Sequence, residues 1–419
     1  MSTTTRTTAP VDQPELPPFP GVRSARCPFD PPADYTDWRE GEGLRRALWR
    51  GEPMWVVSRF ADIRQALSDP RLSADDRTPG FPVPAPGGSE VAQSFVRMDD
   101  PEHIRLRRML TGEFTVKQME RLRPLIQEQV DHFLEQMISQ GSPADLVSAY
   151  AFPIPSMVIS LMLGVPYEDH TYFQEHSATI VRADATDEEK QAAGMALAGY
   201  MYELTARKER EPADDLISRQ LRRVAAGEIS RDTVVVNGMA LLVAGHETTA
   251  NMIALSTLTL LEKPDRLARI RDTDDPAVVA NAVEELLRYL TIVQDGIFRV
   301  ATEDVTVGGQ LVRAGEAVIM NLPAGNRDAS FSADPDTLDP DRNARGHLAF
   351  GYGTHQCLGQ PLARVELQIA LPTLLRRLPG LRPAVPLDQI ALPQQRHHLR
   401  PPRAAGRVVT TTAVGRSTA

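Results

Sequence analysis

The longest periodic segment of this sequence runs from Ser230 to Glu262 and is closed by Pro264. Serine is a good helix N-cap because its hydroxyl oxygen accepts a hydrogen bond from a free backbone N–H group, and proline cannot continue a helix. A helix of about 33 residues spans roughly 50 Å at 1.5 Å per residue, enough to cross a whole domain. Because most of its residues are apolar, this helix is expected to lie in the core.

Other segments also favour helices, and few favour strands. An apolar stripe from Val116 to Met137 has helical spacing, and Asp275 followed by proline is typical of a helix start. Between residues 305 and 319, alternating residues around Gly-Gly and Ala-Gly pairs predict hairpins. We therefore expect a mainly α-helical protein with small antiparallel β sheets, forming a single domain over residues 26–390.

The two ends of the chain differ in composition from its middle. The first 25 residues are rich in Thr and Pro and lack the apolar run of a secretory signal, which predicts a disordered lead-in. After Asp388 the sequence contains five arginines and no acidic residue. We expect residues 391–419 to form an atypical, basic and mobile tail, without a stable strand from about Gln394 onward.

Charge, hydropathy and cysteine content exclude several classes of protein. The formal charge of −9 argues against a nucleic-acid binder, which needs a basic surface. The longest uncharged run, Leu146 to Tyr167, is interrupted by prolines, so no membrane span is expected. Two cysteines, Cys27 and Cys357, are too few for a disulfide framework, and this favours a reducing cytoplasm.

Cys357 follows a glycine-rich loop and precedes an apolar helix. The dipole and free N–H groups of a helix N-terminus stabilise a thiolate, so we expect a lowered pKa for this cysteine. Such a thiolate suits a nucleophile, a redox thiol or an axial metal ligand. His355 in the same tight loop is poorly placed as a base, and there is no C-x-x-C motif. Haem ligation by the thiolate is the remaining use.

The segment from Phe350 to Gly359 resembles the cysteine loop of the cytochrome P450 family, F-x-x-G-x-H-x-C-x-G. The composition of this chain predicts about 5 × 10⁻⁶ chance matches to that pattern. The resemblance covers nearly the whole chain and is closest to the soluble actinomycete enzymes that hydroxylate drugs, steroids and secondary metabolites. It implies the fold of that family, a triangular prism of helices around a buried haem whose iron is ligated by Cys357.

The resemblance also implies further haem contacts. His103 and Arg107 match the H-x-x-x-R motif of the family and would bind the haem propionates, since charge-assisted hydrogen bonds from arginine to carboxylate are strong. In the long helix, Gly245 would leave room for oxygen. The residues expected to bind the cofactor besides Cys357 are His103, Arg107, Arg299, His355, Ala244, Gly245 and Phe350.

By the same resemblance, Glu247 and Thr248 are the catalytic candidates, an acid and an alcohol that handle protons. The pair His246-Glu247 does not complete the zinc motif H-E-x-x-H, because position 250 is alanine. Two alternatives remain for the chain as a whole. One is a peroxide-dependent or oxidative-coupling haem enzyme on the same fold, and the other is a haem-binding protein without catalysis.

Glu285 and Arg288 match the E-x-x-R motif of the family. Taken alone, Glu and Arg three residues apart usually form a solvated pair worth a few tenths of a kcal/mol. The resemblance instead implies a buried pair behind the haem, joined by Arg342.

The resemblance predicts a haem-thiolate monooxygenase that inserts one oxygen atom from O2 into a hydrophobic small molecule. The reaction would be a hydroxylation or epoxidation in secondary-metabolite biosynthesis, for example of an antibiotic, or in xenobiotic oxidation. The cofactor is expected to be haem b, with electrons from NAD(P)H delivered by an external ferredoxin and ferredoxin reductase. We expect a cytoplasmic monomer with no nucleic-acid or membrane partner. The substrate pocket is predicted at the loop 74–98, near Leu241 and Ala244, and at residues 292–297.

Overall fold

The structure is a computed structural model that describes residues 16–23, 29–83, 92–181, 185–386 and 407–409. Most of the predicted lead-in (1–25) and of the predicted tail (391–419) lies outside the described residues. The helices are α1 Asp34–Glu40, α2 Phe60–Ser68, α3 Glu102–Thr111, α4 Val116–Ser139, α5 Pro153–Leu163, α6 His170–Val181, α7 Asp187–Arg210, α8 Leu216–Ala225, α9 Arg231–Leu261, α10 Pro264–Arg271, α11 Pro276–Leu290, α12 Leu322–Gly325 and α13 Gln360–Arg377. The strands are β1 Arg45–Trp49, β2 Glu52–Val57, β3 Leu72–Ser73, β4 Ala144–Asp145, β5 Ile297–Ala301, β6 Val305–Val307, β7 Gln310–Val312, β8 Ala317–Met320, β9 Arg382–Pro383 and β10 Arg407–Val409. The prediction of a mainly α-helical fold with small sheets is confirmed.

The strands form three small sheets. One has the order β1-β2-β8-β5-β3, the second pairs β6 with β7, and the third has the order β4-β10-β9. All pairs are antiparallel except β2 with β8, where Trp55 lies opposite Val318. Of the two predicted hairpins, only β6-β7 forms, because β8 pairs with β2 and β5 instead of β7.

Helix α9 is the predicted core helix, and its boundaries are close to those expected. The Ser230 side chain caps it by accepting a hydrogen bond from the N–H group of Thr233 at 3.0 Å. All residues from Thr249 to Leu260 are buried, and α9 packs against α5, α7, α11 and α13. Among the residues that the structure describes, none of the helices has the length and hydropathy needed to cross a membrane.

The prediction that no stable strand follows Gln394 is wrong. Strand β10 lies in the middle of the third sheet, where Val408 is opposite both Ala144 of β4 and Pro383 of β9. Val408 is completely buried in the main hydrophobic core. The prediction of a mobile tail was based on its many arginines. Two adjacent β-branched valines in that tail are nevertheless sufficient to form a short paired strand.

Candidate active site

A cavity of about 1960 Å³ lies between α9 and the loop that precedes α13. Small-molecule sites usually measure about 300–1,000 Å³, so this cavity has room for a cofactor together with a substrate. Positions within 76–83, 92–97 and 292–297, together with Leu241 and Ala244, belong to the wall of this cavity. The predicted pocket segments therefore lie at one cavity, and their contact with a substrate stays a prediction.

The side chain of Cys357 faces this cavity, immediately before the first turn of α13. Its backbone N–H group donates to the carbonyl oxygen of Phe350 at 2.9 Å, which closes the loop on itself. Gly353 has a φ of +76°, and a Cβ atom there would lie 2.5 Å from the carbonyl oxygen of Leu67. Only glycine fits this position, so the glycine of the motif is needed for the loop that presents the cysteine.

The pKa of the Cys357 thiol is raised, contrary to the sequence-based expectation. Burial raises this pKa, and the N–H groups of Gly359 and Gln360 and the positive charges of Arg107 and Arg364 lower it. The thiol is accessible from the cavity but surrounded by protein, so the loss of bulk water outweighs the helix terminus. A metal ion reverses this balance, because a coordinated thiol is deprotonated.

Two of the predicted propionate ligands stack on each other. The rings of His103 and His355 are 3.8 Å apart between centroids and nearly parallel. Nδ1 of His103 lies 3.0 Å from a carboxylate oxygen of Asp100. Nε2 of His103 is buried and has no hydrogen-bond partner among the described residues. His103 therefore has one ring nitrogen available for a ligand that the protein itself does not provide.

The predicted arginines surround this histidine pair. Burial, together with the positive charges of Arg299, His103, Arg107 and Arg97, lowers the pKa of His355 to about 3. Burial lowers the pKa of Arg299 to about 10. Arg97, which no sequence motif singled out, also lines the cavity, and burial lowers its pKa as well. The structure thus brings His103, Arg107, Arg299 and His355 together and adds Arg97.

This cluster fits the two carboxylates of haem. Among the described residues no carboxylate forms an ion pair with Arg97, Arg107 or Arg299, and Asp76 and Asp99 act on two of these arginines only through their charge. Buried charges are normally paired, so this part of the cavity favours a ligand with negative groups. Together with a cysteine that faces the same cavity, the donor set is that of a haem-thiolate site.

Helix α9 forms another part of the cavity wall. Ala244, Gly245, Thr248 and Thr249 line the cavity. The hydroxyl group of Thr248 donates to the carbonyl oxygen of Ala244 at 2.8 Å. The helix is continuous from Arg231 to Leu261, so this hydrogen bond does not interrupt it. The hydroxyl oxygen of Thr248 remains able to accept a hydrogen bond from a group in the cavity.

Gly245 lines the cavity, as expected, and also has a packing role. A Cβ atom on Gly245 would lie 2.9 Å from Cγ1 of Ile159, so this glycine allows α5 to pack closely on α9, and its role in leaving room for oxygen stays a prediction. Glu247 is buried but does not belong to the cavity wall. His246 points elsewhere, with Nδ1 2.6 Å from the carbonyl oxygen of Leu242 and its ring against Phe152.

Glu366 on α13 is a cavity residue that the motifs did not indicate. It is completely buried, and burial raises its pKa to about 8, with the Thr249 hydroxyl acting in the opposite direction. That hydroxyl lies outside normal hydrogen-bond geometry, and among the described residues neither carboxylate oxygen has another partner. Glu366 is therefore mainly protonated at neutral pH. Its position in the apolar stretch LARVELQIAL was the signal for a buried acid.

The E-x-x-R pair is buried, as the resemblance implied. Glu285 and Arg288 are fully buried and joined by two hydrogen bonds of 2.7 and 2.8 Å. Nε of Arg342 lies 3.3 Å from the same carboxylate. Glu102 and Arg105 are also three residues apart, but they form an exposed pair on the surface. Burial, and not the spacing, distinguishes the two pairs.

Comparison with known proteins places these features in context. The family model described as "Cytochrome P450" matches residues 182–381. Cytochrome P450-SU2 of Streptomyces griseolus is 52% identical over 392 residues, covering 93% of this chain and 95% of that protein. Pentalenic acid synthase of Streptomyces avermitilis is 49% identical over 380 residues, covering 89% and 92%. The crystal structure of the mycinamicin VIII C21 methyl hydroxylase MycCI from Micromonospora griseorubida, bound to mycinamicin VIII, superposes with a TM-score of 0.85 at 37% identity, covering 94% of this chain and all of that one.

Proposed function

This chain belongs to the cytochrome P450 family, and from that membership we propose a haem-thiolate monooxygenase that inserts one oxygen atom from O2 into a hydrophobic small molecule. The observation that carries the proposal is that Cys357, α9 and a cluster of arginine and histidine side chains line one and the same cavity. Pentalenic acid synthase and the mycinamicin hydroxylase, by their names, make or oxidise secondary metabolites. We infer a substrate of the same broad kind, oxidised by hydroxylation or epoxidation.

The chain's own residues divide the work of the site. Haem held by Cys357 supplies the iron at which O2 is activated. His103, Arg107, Arg299 and His355 would hold the propionates and so orient the macrocycle. The electrons would come from NAD(P)H through a ferredoxin and its reductase, and the enzyme would act as a monomer in the cytoplasm.

Protons are handled on α9. Since the Thr248 hydroxyl donates to Ala244, its oxygen can accept a hydrogen bond and hold a proton-donating water at the cavity surface. Glu247, the adjacent acid, is buried outside the cavity wall and would pass protons toward that water. In this proposal Glu247 takes up protons away from the cavity and Thr248 delivers them at the cavity surface. Such a relay favours O2 activation, which consumes protons, over the peroxide-dependent alternative.

We expect Thr248→Ala to uncouple the reaction, so that NADPH is still consumed while product per NADPH falls several-fold and hydrogen peroxide accumulates. Loss of the hydroxyl removes the acceptor that holds the water. The measurement is the ratio of product and peroxide to NADPH consumed. Thr257→Ala is the matched control, because the Thr257 hydroxyl makes the same 2.8 Å bond to the carbonyl four residues earlier, away from the cavity. Equal coupling in both variants would contradict the role of Thr248.

We expect Glu247→Gln to slow turnover by about 10²-fold at saturating substrate, the usual size of a general-acid contribution. The amide has the shape of the acid and cannot supply a proton. A larger solvent deuterium isotope effect on turnover in the variant would identify proton delivery as the slow step. Asp232→Asn, an exposed position in the first turn of the same helix, is the control. Unchanged turnover in Glu247→Gln would refute the relay.

The experiment that tests the overall function is oxygen uptake and NADPH consumption by the haem-loaded protein with a ferredoxin, its reductase and a library of hydrophobic compounds. Product containing one atom from labelled O2 supports the monooxygenase. Product formed only with added peroxide would favour the peroxide-dependent alternative. A complete lack of turnover and of substrate-induced spectral change would favour a haem-binding protein.

A further inference from the structure

Glu284 immediately precedes Glu285 in α11 but belongs to a different network. Its buried carboxylate accepts two hydrogen bonds from Arg364 of α13, from Nε at 2.5 Å and from NH2 at 3.0 Å. This paired geometry is the strong form of an arginine-carboxylate contact. Burial raises the pKa of Glu284, yet hydrogen bonds and charge from His347 and Arg364 bring it down to about 2. Glu284 therefore carries a full negative charge at every working pH.

Arg364 connects this carboxylate to the cysteine loop. Its guanidinium carbon lies 4.6 Å from the centroid of the Phe350 ring, a cation-π contact, and its NH1 group donates to the side chain of Gln360 at 2.8 Å. The carbonyl oxygen of Phe350 in turn accepts the N–H group of Cys357. One guanidinium thus fixes the residue on which the cysteine backbone is held.

His347 completes the arrangement from the opposite side. Its Nδ1 accepts the N–H group of Ala349 at 3.1 Å, so its proton is on Nε2, and Nε2 lies 3.3 Å from the carboxylate of Glu284. Burial lowers the pKa of His347, and the carboxylate of Glu284 acts in the opposite direction. The network therefore contains one positive and one negative group, Arg364 and Glu284, with the imidazole of His347 beside the carboxylate.

The two charges of this pair are not equivalent with respect to the cysteine. Arg364 lies on the Phe350 ring of the cysteine loop, whereas the carboxylate of Glu284 is hydrogen-bonded to the guanidinium of Arg364. The positive group of the pair is therefore the one in direct contact with the loop. A positive charge near a thiolate-bound iron favours the reduced state, and a negative charge disfavours it.

We propose that Arg364 and Glu284 are positioning residues that hold the Cys357 loop through Phe350 and set the reduction potential of the haem bound there, Arg364 raising the potential and Glu284 lowering it. The proposal rests on the haem-thiolate function proposed above. Outer-shell partners of this kind commonly tune a metal through its first ligand.

The test is the midpoint potential of the haem-loaded protein in a set of charge variants. Arg364→Gln is expected to lower the midpoint potential and Glu284→Gln to raise it. Each shift should change the equilibrium constant of the one-electron reduction by at least about threefold, which equals ~28 mV at 59 mV per tenfold. The double variant, which lacks both charges, is expected to lie between them. Arg364→Lys keeps the charge but loses the fork and the flat contact, so its potential should stay near that of the parent while haem is lost faster.

Opposite shifts cannot come from general loosening, which would move both variants in one direction. Asp215→Asn is the control, since Asp215 forms another buried pair with Lys208 away from the cavity and its substitution should leave the potential unchanged. Shifts of the same sign, or none, overturn the proposal. If Arg364→Gln does not retain haem, the sign of the Glu284→Gln shift decides alone. A parent protein without a thiolate spectrum would instead refute the proposed function, which keeps the two failures distinct.

Discussion

The Cys357→His variant is expected to lose the red-shifted absorption band that the reduced protein shows with carbon monoxide, together with its monooxygenase turnover. A thiolate ligand would cause this band, and a histidine ligand would give the ordinary spectrum of an imidazole-ligated haem. Removal of an outer-shell partner of a metal typically lowers activity about 10–100-fold. The loss of turnover in Cys357→His should be larger than this. The measurements are the difference spectrum and product formation with a redox partner system.

Cys27→Ser is the control for this substitution, because Cys27 is the only other cysteine in the sequence. It should retain both the band and the turnover. If the parent protein itself binds haem with an imidazole-type spectrum, Cys357 is not the ligand, and the reading of the cavity as a haem-thiolate site fails.

Glu285→Leu is expected to lower the free energy of unfolding by about 3–5 kcal/mol, the usual cost of removing one partner of a buried ion pair. Arg288 would remain completely buried with its charge uncompensated, and the backbone N–H group of Asp339 would lose the carboxylate that accepts it at 2.9 Å. Urea unfolding of the haem-loaded protein measures the change. Arg342 reaches the same carboxylate, so the loop that it holds should also loosen.

Glu102→Leu provides the comparison at the same Glu-to-Arg spacing. The exposed pair of Glu102 with Arg105 should contribute less than about 1 kcal/mol. Similar losses in the two variants would mean that the burial of the Glu285 pair carries no special energetic weight, contrary to the expectation for a desolvated charge.

The cysteine loop and the core helix were predictable from the sequence because both depend on local spacing. The loop needs Gly353 at a backbone angle that other residues avoid, and α9 needs a cap and a terminating proline. Motif spacing of this kind also located the E-x-x-R pair and, in α3, His103 and Arg107.

Features that depend on what another segment places nearby were not predictable. Gly245 serves the packing of Ile159, which lies more than 80 positions earlier. Arg97 joins the cation cluster through the fold alone. The raised pKa of Cys357 reflects burial, which a motif does not encode. Strand β10 depends on partners from β4 and β9 that no local composition reveals.

Helix α9 lines the cavity mainly with its first half and packs in the protein interior with its second half. The cavity-lining positions on it lie between Val236 and Met252, and every residue from Thr249 to Leu260 is buried, so the two stretches share only the positions from Thr249 to Met252. Substitutions at the partly buried lining positions Val236, Met239 and Ala240 can therefore reshape the substrate space at a lower cost to folding than substitutions in the fully buried second half. Substrate selectivity can therefore change through substitutions at a few neighbouring positions while the fold stays the same. A library restricted to Val236, Met239, Ala240 and Leu241 is a direct way to alter selectivity.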